Sequence, residues 1–241
     1  MFEGKKRAEN YDKLEWTERE EYIRKLIEAC NLKSNYVSCD IGTGTGIIAH
    51  ELANYCGNIC GIDISDEMLK IASEKRSNPK IDYVNMNAEN MEFDDESFNC
   101  ITARMCFHHI ENQKKAINDC YRTLKSGCKF VISEGVPPQG ARTFYTNMFK
   151  LKEKRRTYTI DDLVDLLEHA GFKNINVDVH IMPSVSTKNW LLNAGLDDIT
   201  CSKIYNMHLD CEDYIKKAYN MKMINGDILM DWIQAIVSGE K

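Results

Sequence analysis

Apolar positions recur three and four apart from about Trp16 to Cys30. Tyr22, Ile23, Leu26, Ile27 and Cys30 share one face there, so the spacing predicts an amphipathic helix that covers a sheet. The pattern then shortens. Tyr36–Ile41 reads as a strand, Gly42-Thr43-Gly44-Thr45-Gly46 as a tight turn, and Ile47–Ala53 as the helix that the turn opens. The same unit recurs with Asn58–Ile64 as a strand and a following helix capped by Ser65, with Met68, Leu69 and Ile71 on its inner side. Ile81–Met86, Phe98–Ala103 and Cys128–Glu134 read as the third, fourth and fifth strands. A helix from about Gln113 to Leu124, closed by Ser126-Gly127, joins the last two. Strands that alternate with helices in this way imply a parallel, doubly wound sheet with helices on both faces.

Beyond Glu134 the rhythm changes. Pro137-Pro138-Gln139-Gly140 demands a loop, and the charged run Lys152–Arg156 reads as a solvated face. Thr159 caps a helix from Asp162 to Ala170 that Gly171 ends, and Asn174–Ile181 and Ile228–Val237 read as the last two strands. The interval from Trp190 to Asn225 is helical in character. It reads as an insertion placed to form a wall or lid over a ligand crevice, while Met221, Met223 and Met230 are expected to serve as packing residues.

Composition narrows the class. With 241 residues, 43% hydrophobic and 28% charged, the chain is long enough for one substantial core, and a single domain over 1–241 is expected. It divides into an N-terminal covering region (1–35), a core (36–135) and a second ligand side (136–241). A net charge of −6 gives no general attraction to nucleic acid or anionic lipid. No run approaches the ~20 apolar residues of a membrane span, and the start lacks the apolar core of a signal peptide, so a cytoplasmic protein is expected. Its ten cysteines are scattered without a CxxC pair, which favours free, packed thiols and no metal site.

The candidate chemistry lies at the strand ends. Glycines at alternate positions let the backbone turn sharply and approach a ligand closely, and Asp63 stands about 20 residues further on, where a carboxylate accepts hydrogen bonds from ribose hydroxyls. The dinucleotide pattern G-x-G-x-x-G is not met, because Gly46 comes one residue early and Ile47 occupies the place of its third glycine. His108 and His109 sit just past the fourth strand. Histidine is the side chain whose ordinary pKa suits proton transfer near neutrality, and the family resemblance that follows favours His109 over His108 as the base. Arg104 stands at a strand end as a partner for an acid or an anionic group. Glu134–Pro138, with Arg142 and Tyr145 behind, should line the second ligand side, and Tyr11 and Trp16 precede the covering helix.

In order along the chain, Asp40-Ile41-Gly42-Thr43-Gly44-Thr45-Gly46, Gly61–Ser65, Asn87-Ala88-Glu89-Asn90, Phe107-His108-His109-Ile110 and Tyr121–Cys128 resemble the motifs of the class I S-adenosylmethionine (SAM) dependent methyltransferases. Asn87 stands where that family usually has Asp, and Ser126-Gly127-Cys128 where it has P-G-G. The resemblance implies a Rossmann-like sheet of seven strands in the order 3-2-1-4-5-7-6, strand 7 antiparallel. It also implies SAM as cofactor, held by Asp40, Gly42, Thr43, Gly44, Gly46, Asp63, Ile64, Met68, Asn87, Ala88, Glu89, Arg104 and Tyr11. The expected reaction is methyl transfer to oxygen, nitrogen or carbon of a small molecule, by a monomer or homodimer without nucleic-acid or membrane partners. No N-P-P-Y tetrad follows the fourth strand, which argues against methylation of nucleobases or glutamine side chains. RNA or protein methylation, or a non-catalytic SAM-binding regulator, stand as alternatives.

Overall fold

A computed structural model describes the backbone of residues 4–241 and the side chains from Ala8 onward. Residues 1–3, which belong to the expected N-terminal covering region, lie outside the described residues. Two helices come first, α1 (Gly4–Tyr11) and α2 (Glu20–Cys30), followed by β1 (Val37–Ile41), α3 (Ile47–Leu52), β2 (Asn58–Asp63), α4 (Asp66–Lys75), β3 (Ile81–Asn85) and β4 (Phe98–Arg104). A 3-10 turn, Phe107–His109, leads to α5 (Gln113–Thr123), β5 (Leu124–Val136), α6 (Arg142–Lys152), α7 (Ile160–Ala170) and β6 (Lys173–Ser186). The chain then continues through α8 (Thr187–Asn193), α9 (Asp198–Asp210), α10 (Asp213–Ala218), β7 (Lys222–Ile224) and β8 (Asp227–Glu240).

The sheet order is β3-β2-β1-β4-β5-β8-β6, with β1 to β5 parallel and β8 antiparallel to both β5 and β6. This is the expected seven-stranded order, with one short strand added. That strand, β7, forms a hairpin with β8 across Asn225-Gly226, whose φ angles of +50° and +74° suit a two-residue turn matched to strand twist.

Alternation along the strands builds a core on each face. On β5, Phe130 and Ile132 join the core beneath α5 and α7, while Val131 joins the one beneath α2, α3 and α6. Helix α2 buries Tyr22, Leu26, Ile27 and Cys30, and the Tyr22 hydroxyl shares a 2.7 Å hydrogen bond with Ser133 Oγ, which pins the helix to β5. Local caps hold the helices as expected: Ser65 Oγ accepts from Met68 N, Thr159 and Asp162 form a capping box, and Gly171 ends α7 at φ +101°.

Three expectations need correction. Helix α2 begins at Glu20 instead of Trp16, because Trp16 packs on Trp232 at 6.2 Å and Arg104 Nη1 donates to Thr17 O at 2.7 Å, drawing that segment onto the sheet. Helix α6 follows the proline loop where only loop and charge were read, and it buries Tyr145, Met148 and Phe149 at helical spacing. Strand β6 runs past Ile181 to Ser186, and its register shifts between Met182 and Val185, at Pro183, which an edge strand tolerates.

Candidate active site

The glycine turn sits at the carboxyl end of β1, where the order of strands reverses. Gly42, Gly44 and Gly46 all have positive φ, and a Cβ on Gly46 would lie 2.4 Å from Tyr83 Oη. Beneath the turn, Asp40 is buried and accepts two hydroxyl hydrogen bonds at 2.7 Å, from Thr43 Oγ1 and from Thr102 Oγ1. Burial pushes the Asp40 carboxyl up to about 6, opposed by those hydroxyls. Asp63 ends β2 and ties the turn to the start of α4: Gly44 N donates to Oδ2 and Ser65 N to Oδ1, each at 2.9 Å. Burial also raises the Asp63 pKa against these backbone donors.

Above the turn lies an open cleft of about 460 Å³. Of the residues expected to hold a cofactor, Gly42, Asp63, Ile64, Asn87, Ala88 and Glu89 line it. Asn87 Oδ1 accepts from Glu89 N at 2.9 Å, and Glu89 Oε1 accepts from Glu111 N and Asn112 N, so this loop is braced against the start of α5. Ile64 is 54% exposed, an apolar side chain turned toward the cleft.

Other members of the expected set stand elsewhere. Asp40, Thr43, Gly44 and Gly46 do not line the cleft and act on its shape from below. Met68 is 8% exposed on the inner side of α4, because the Ser65 cap turns that position into the protein. Arg104 is taken up by Thr17 O and by the faces of Trp16 and Tyr22, at 5.9 and 5.8 Å, so it docks the N-terminal segment instead of meeting an anion. Tyr11 lines a neighbouring chamber. Cys106 and Glu111 do line the cleft and were not foreseen, although they flank the motif that ends at Ile110, which lines it too; their position just past the fourth strand was the available signal.

His109 belongs both to this cleft and to a second chamber of about 60 Å³, formed with His108, Tyr11, Trp16, Phe149 and Arg155. Met105, Phe149, Trp190 and Trp232 are shared with a third, more enclosed space of about 40 Å³, reached by Tyr145, His208 and Tyr219. The helical insertion therefore walls this side through Trp190, His208 and Tyr219. Gly135, Val136 and Tyr145 line it as the loop reading implied, whereas Arg142 points to a surface groove and pairs with Asp162 at 3.0 Å. Met230 packs here as expected, whereas Met223, also expected to pack, is 55% exposed on the β7–β8 hairpin.

Two charged systems border the chamber. His108 is 4% exposed, and its Nδ1 lies 2.5 Å from Oε2 of the fully buried Glu134, whose Oε1 accepts from His108 N. Burial pushes the Glu134 carboxyl up to about 7, opposed first by Arg155. With an ionised Glu134 the Nδ1 hydrogen is donated to the carboxylate, and the neutral ring carries its lone pair on Nε2. The second system corrects the solvated-face reading of Lys152–Arg156. Lys152 and Arg155 side chains are only 8% and 3% exposed, paired with Glu153 at 2.7 and 3.6 Å, and Arg155 lies 4.1 Å over the Phe149 ring. His108, His109 and Glu153 present donor atoms within 4.8 Å of one another. Two cations already flank Glu153, which raises the electrostatic cost of adding a metal ion there.

A glycine turn at a strand-order switch, with a carboxylate on the next strand end, defines a nucleoside-binding Rossmann-like α/β enzyme. The profile described as "Methyltransferase domain" matches residues 39–132. The ubiquinone/menaquinone biosynthesis C-methyltransferase UbiE of Pseudoalteromonas translucida is 32% identical over 73% of this chain and 72% of its own length. An uncharacterised protein of Methanocaldococcus jannaschii is 33% identical over 83% of this chain and 98% of its own length. The chain spans only 35% of phosphoethanolamine N-methyltransferase 2 of Caenorhabditis elegans, at 28% identity. Among solved structures, YcgJ of Bacillus subtilis superposes with a TM-score of 0.83 over 92% of this chain and 98% of that one, at 18% identity. A Haemonchus contortus phosphoethanolamine N-methyltransferase 2, in complex with phosphomonomethylethanolamine and S-adenosylhomocysteine, gives 0.66 over 92% of this chain and 52% of that one, at 18% identity.

The chain belongs to the SAM-dependent methyltransferases of Rossmann-like fold, with SAM as its cofactor. The residues present fit that group: the Asp63 carboxylate reaches the cleft beside apolar Ile41, Ile62, Ile64 and Ala88. Among the described residues no helix is long and apolar enough to cross a membrane.

Proposed function

We propose that this methyltransferase acts on a small-molecule acceptor, at an oxygen, nitrogen or carbon nucleophile seated in the aromatic chamber. One observation carries the reading: the His109 ring borders both the nucleoside cleft and the chamber, so it stands where the two would meet. The chamber spaces of about 40 and 60 Å³ suit a small metabolite. When bound, SAM supplies an electrophilic methyl group on a sulfonium sulfur.

In this reading Asp63 accepts hydrogen bonds from the ribose diol, Ile64 and Ala88 flank the adenine, and Asn87 and Glu89 hold the loop beneath it. Gly42 permits close approach of backbone to ligand, while Asp40, Thr43, Gly44 and Gly46 keep the turn in shape. Much of the rate then comes from holding nucleophile and methyl carbon in line in a site closed by Trp190 and Trp232. His108 takes the proton where the nucleophile carries one. Glu134 positions it, by fixing its tautomer and by stabilising the imidazolium that forms. The preference thus moves from His109 to its neighbour, since the buried carboxylate backs His108.

The relatives named above carry C- and N-methyltransferase names, which leaves both nucleophile types within reach. The test offers purified protein a metabolite extract, bulk tRNA or bulk protein, and measures S-adenosylhomocysteine formed. Product with the metabolite extract alone is expected; turnover driven chiefly by tRNA or protein would overturn the small-molecule reading.

A further inference from the structure

The closed end of the chamber is built unlike its entrance. Tyr145, Phe149, Trp190 and Trp232 give it flat aromatic walls, and Met105, Met148 and Met230 fill between them. Two buried polar groups interrupt this apolar surface. Tyr219 is 4% exposed, and its hydroxyl is buried without a hydrogen-bond partner among the described residues. An orphan donor of this kind costs stability unless something meets it. His208, 2% exposed, donates its Nδ1 hydrogen to Ile204 O at 2.7 Å, so the neutral ring keeps its lone pair on Nε2, and burial favours that neutral form.

Charge and size narrow the occupant further. The buried cations near the chamber, Lys152 and Arg155, both face Glu153, and Arg155 also acts on the buried Glu134, so two acids stand against two cations and the lining offers little uncompensated positive charge to a carboxylate or phosphate. At roughly 10–15 Å³ per water-sized position, the two adjoining spaces, which share Met105, Phe149, Trp190 and Trp232, together hold on the order of eight heavy atoms, the size of one substituted ring.

We propose that the chamber takes a neutral, single-ring planar acceptor whose distal oxygen receives a hydrogen bond from Tyr219. His208 Nε2 stands ready for that oxygen's hydrogen when it is a hydroxyl. The ring slots between the aromatic walls, and its nucleophilic end is turned toward His108 and His109. The proposal rests on the reading of this chamber as the acceptor side and adds to it the class of acceptor.

The test uses the full chain saturated with S-adenosylhomocysteine, titrated calorimetrically with phenol, toluene and benzoate, as wild type and as Tyr219→Phe. Phenol is expected to bind about tenfold more tightly than toluene, with benzoate weakest. In Tyr219→Phe the preference for phenol over toluene should shrink to about twofold while toluene affinity stays put. That variant removes a hydroxyl with no partner to lose, so it should melt no lower than wild type. Equal binding of phenol and toluene, a preference that survives Tyr219→Phe, or tighter binding of benzoate would each overturn the proposal. If S-adenosylhomocysteine itself fails to bind, the reading of the cofactor cleft falls instead, and the two failures are told apart by that first titration.

Discussion

Gly44 and Gly46 lie two residues apart in one turn, yet replacing them by Ala has different expected costs. At Gly44, φ is +55° and an added Cβ would meet only Gly42 O, at 3.9 Å. The cost there is the left-handed backbone strain alone, about 1–2 kcal/mol. At Gly46, φ is +84° and the Cβ would lie 2.4 Å from Tyr83 Oη, 2.9 Å from Tyr83 Cζ and 3.1 Å from Ala72 Cβ. Tyr83 must swing away and give up its hydrogen bond to Arg76 O at 3.1 Å, adding about 1 kcal/mol beyond the same strain. Gly46→Ala should therefore lose about 3 kcal/mol, and Gly44→Ala about half of that. Urea unfolding reads both as midpoint shifts at constant slope. Combining Gly46→Ala with Tyr83→Phe removes the closest contact, so the double variant should lose less than the sum of its parts. Equal midpoint shifts for the two glycines, together with strict additivity with Tyr83→Phe, would refute the steric argument.

Glu134→Gln presents an amide hydrogen to His108 Nδ1 and should drive the ring hydrogen to Nε2. Long-range ¹H–¹⁵N NMR would then show one of the six histidines with its tautomer inverted; an unchanged pattern would mean that Glu134 does not position His108. The same substitution tests linkage. Glu134 binds its proton more tightly folded, near 7, than at its ordinary 4.5, so its contribution is most favourable below 4.5 and is lost as pH rises to about 7. Relative to Glu134→Gln, wild type should lose up to about 3 kcal/mol of stability between acidic and neutral pH, and a difference independent of pH would contradict the burial. Asp63→Ala should weaken S-adenosylhomocysteine binding by about tenfold or more, Asp63→Asn by less, as read by calorimetry. Wild-type affinity should fall on acidification sooner than an ordinary aspartate would dictate, because burial raises the Asp63 pKa.

The glycine turn and the first five strands were legible because each rests on local signals: alternation, a cap and glycines that bear positive φ. Helix α6 was not, because the charged run that follows its buried face drew the reading toward solvent. Lys152 and Arg155 are buried by virtue of Glu153 between them and the Phe149 ring beneath, and neither relation is visible in spacing alone. Met68 and Arg104 sit at positions adjacent to ligand-facing ones, and a single turn of cap geometry or one carbonyl, Thr17 O, decides where each side chain goes. The chamber is the least legible part. Met105, Phe149, Trp190, Tyr219 and Trp232 come from separate elements that only the sheet order and the helical insertion bring together.

Strand β8 lies between β5 and β6, although it leaves the ribosome after both. During synthesis the half of the sheet that carries the glycine turn has all its neighbours early, since β1, β2, β3 and β4 pair among themselves. The other half waits for a late segment to thread in beside two earlier ones, joining Lys129 and Lys173 to Glu240 from opposite sides. A nascent chain can thus assemble the half that carries the glycine turn well before the half built around β8. Sequence drift in the late half, as after gene duplication, would then leave the early half's assembly undisturbed.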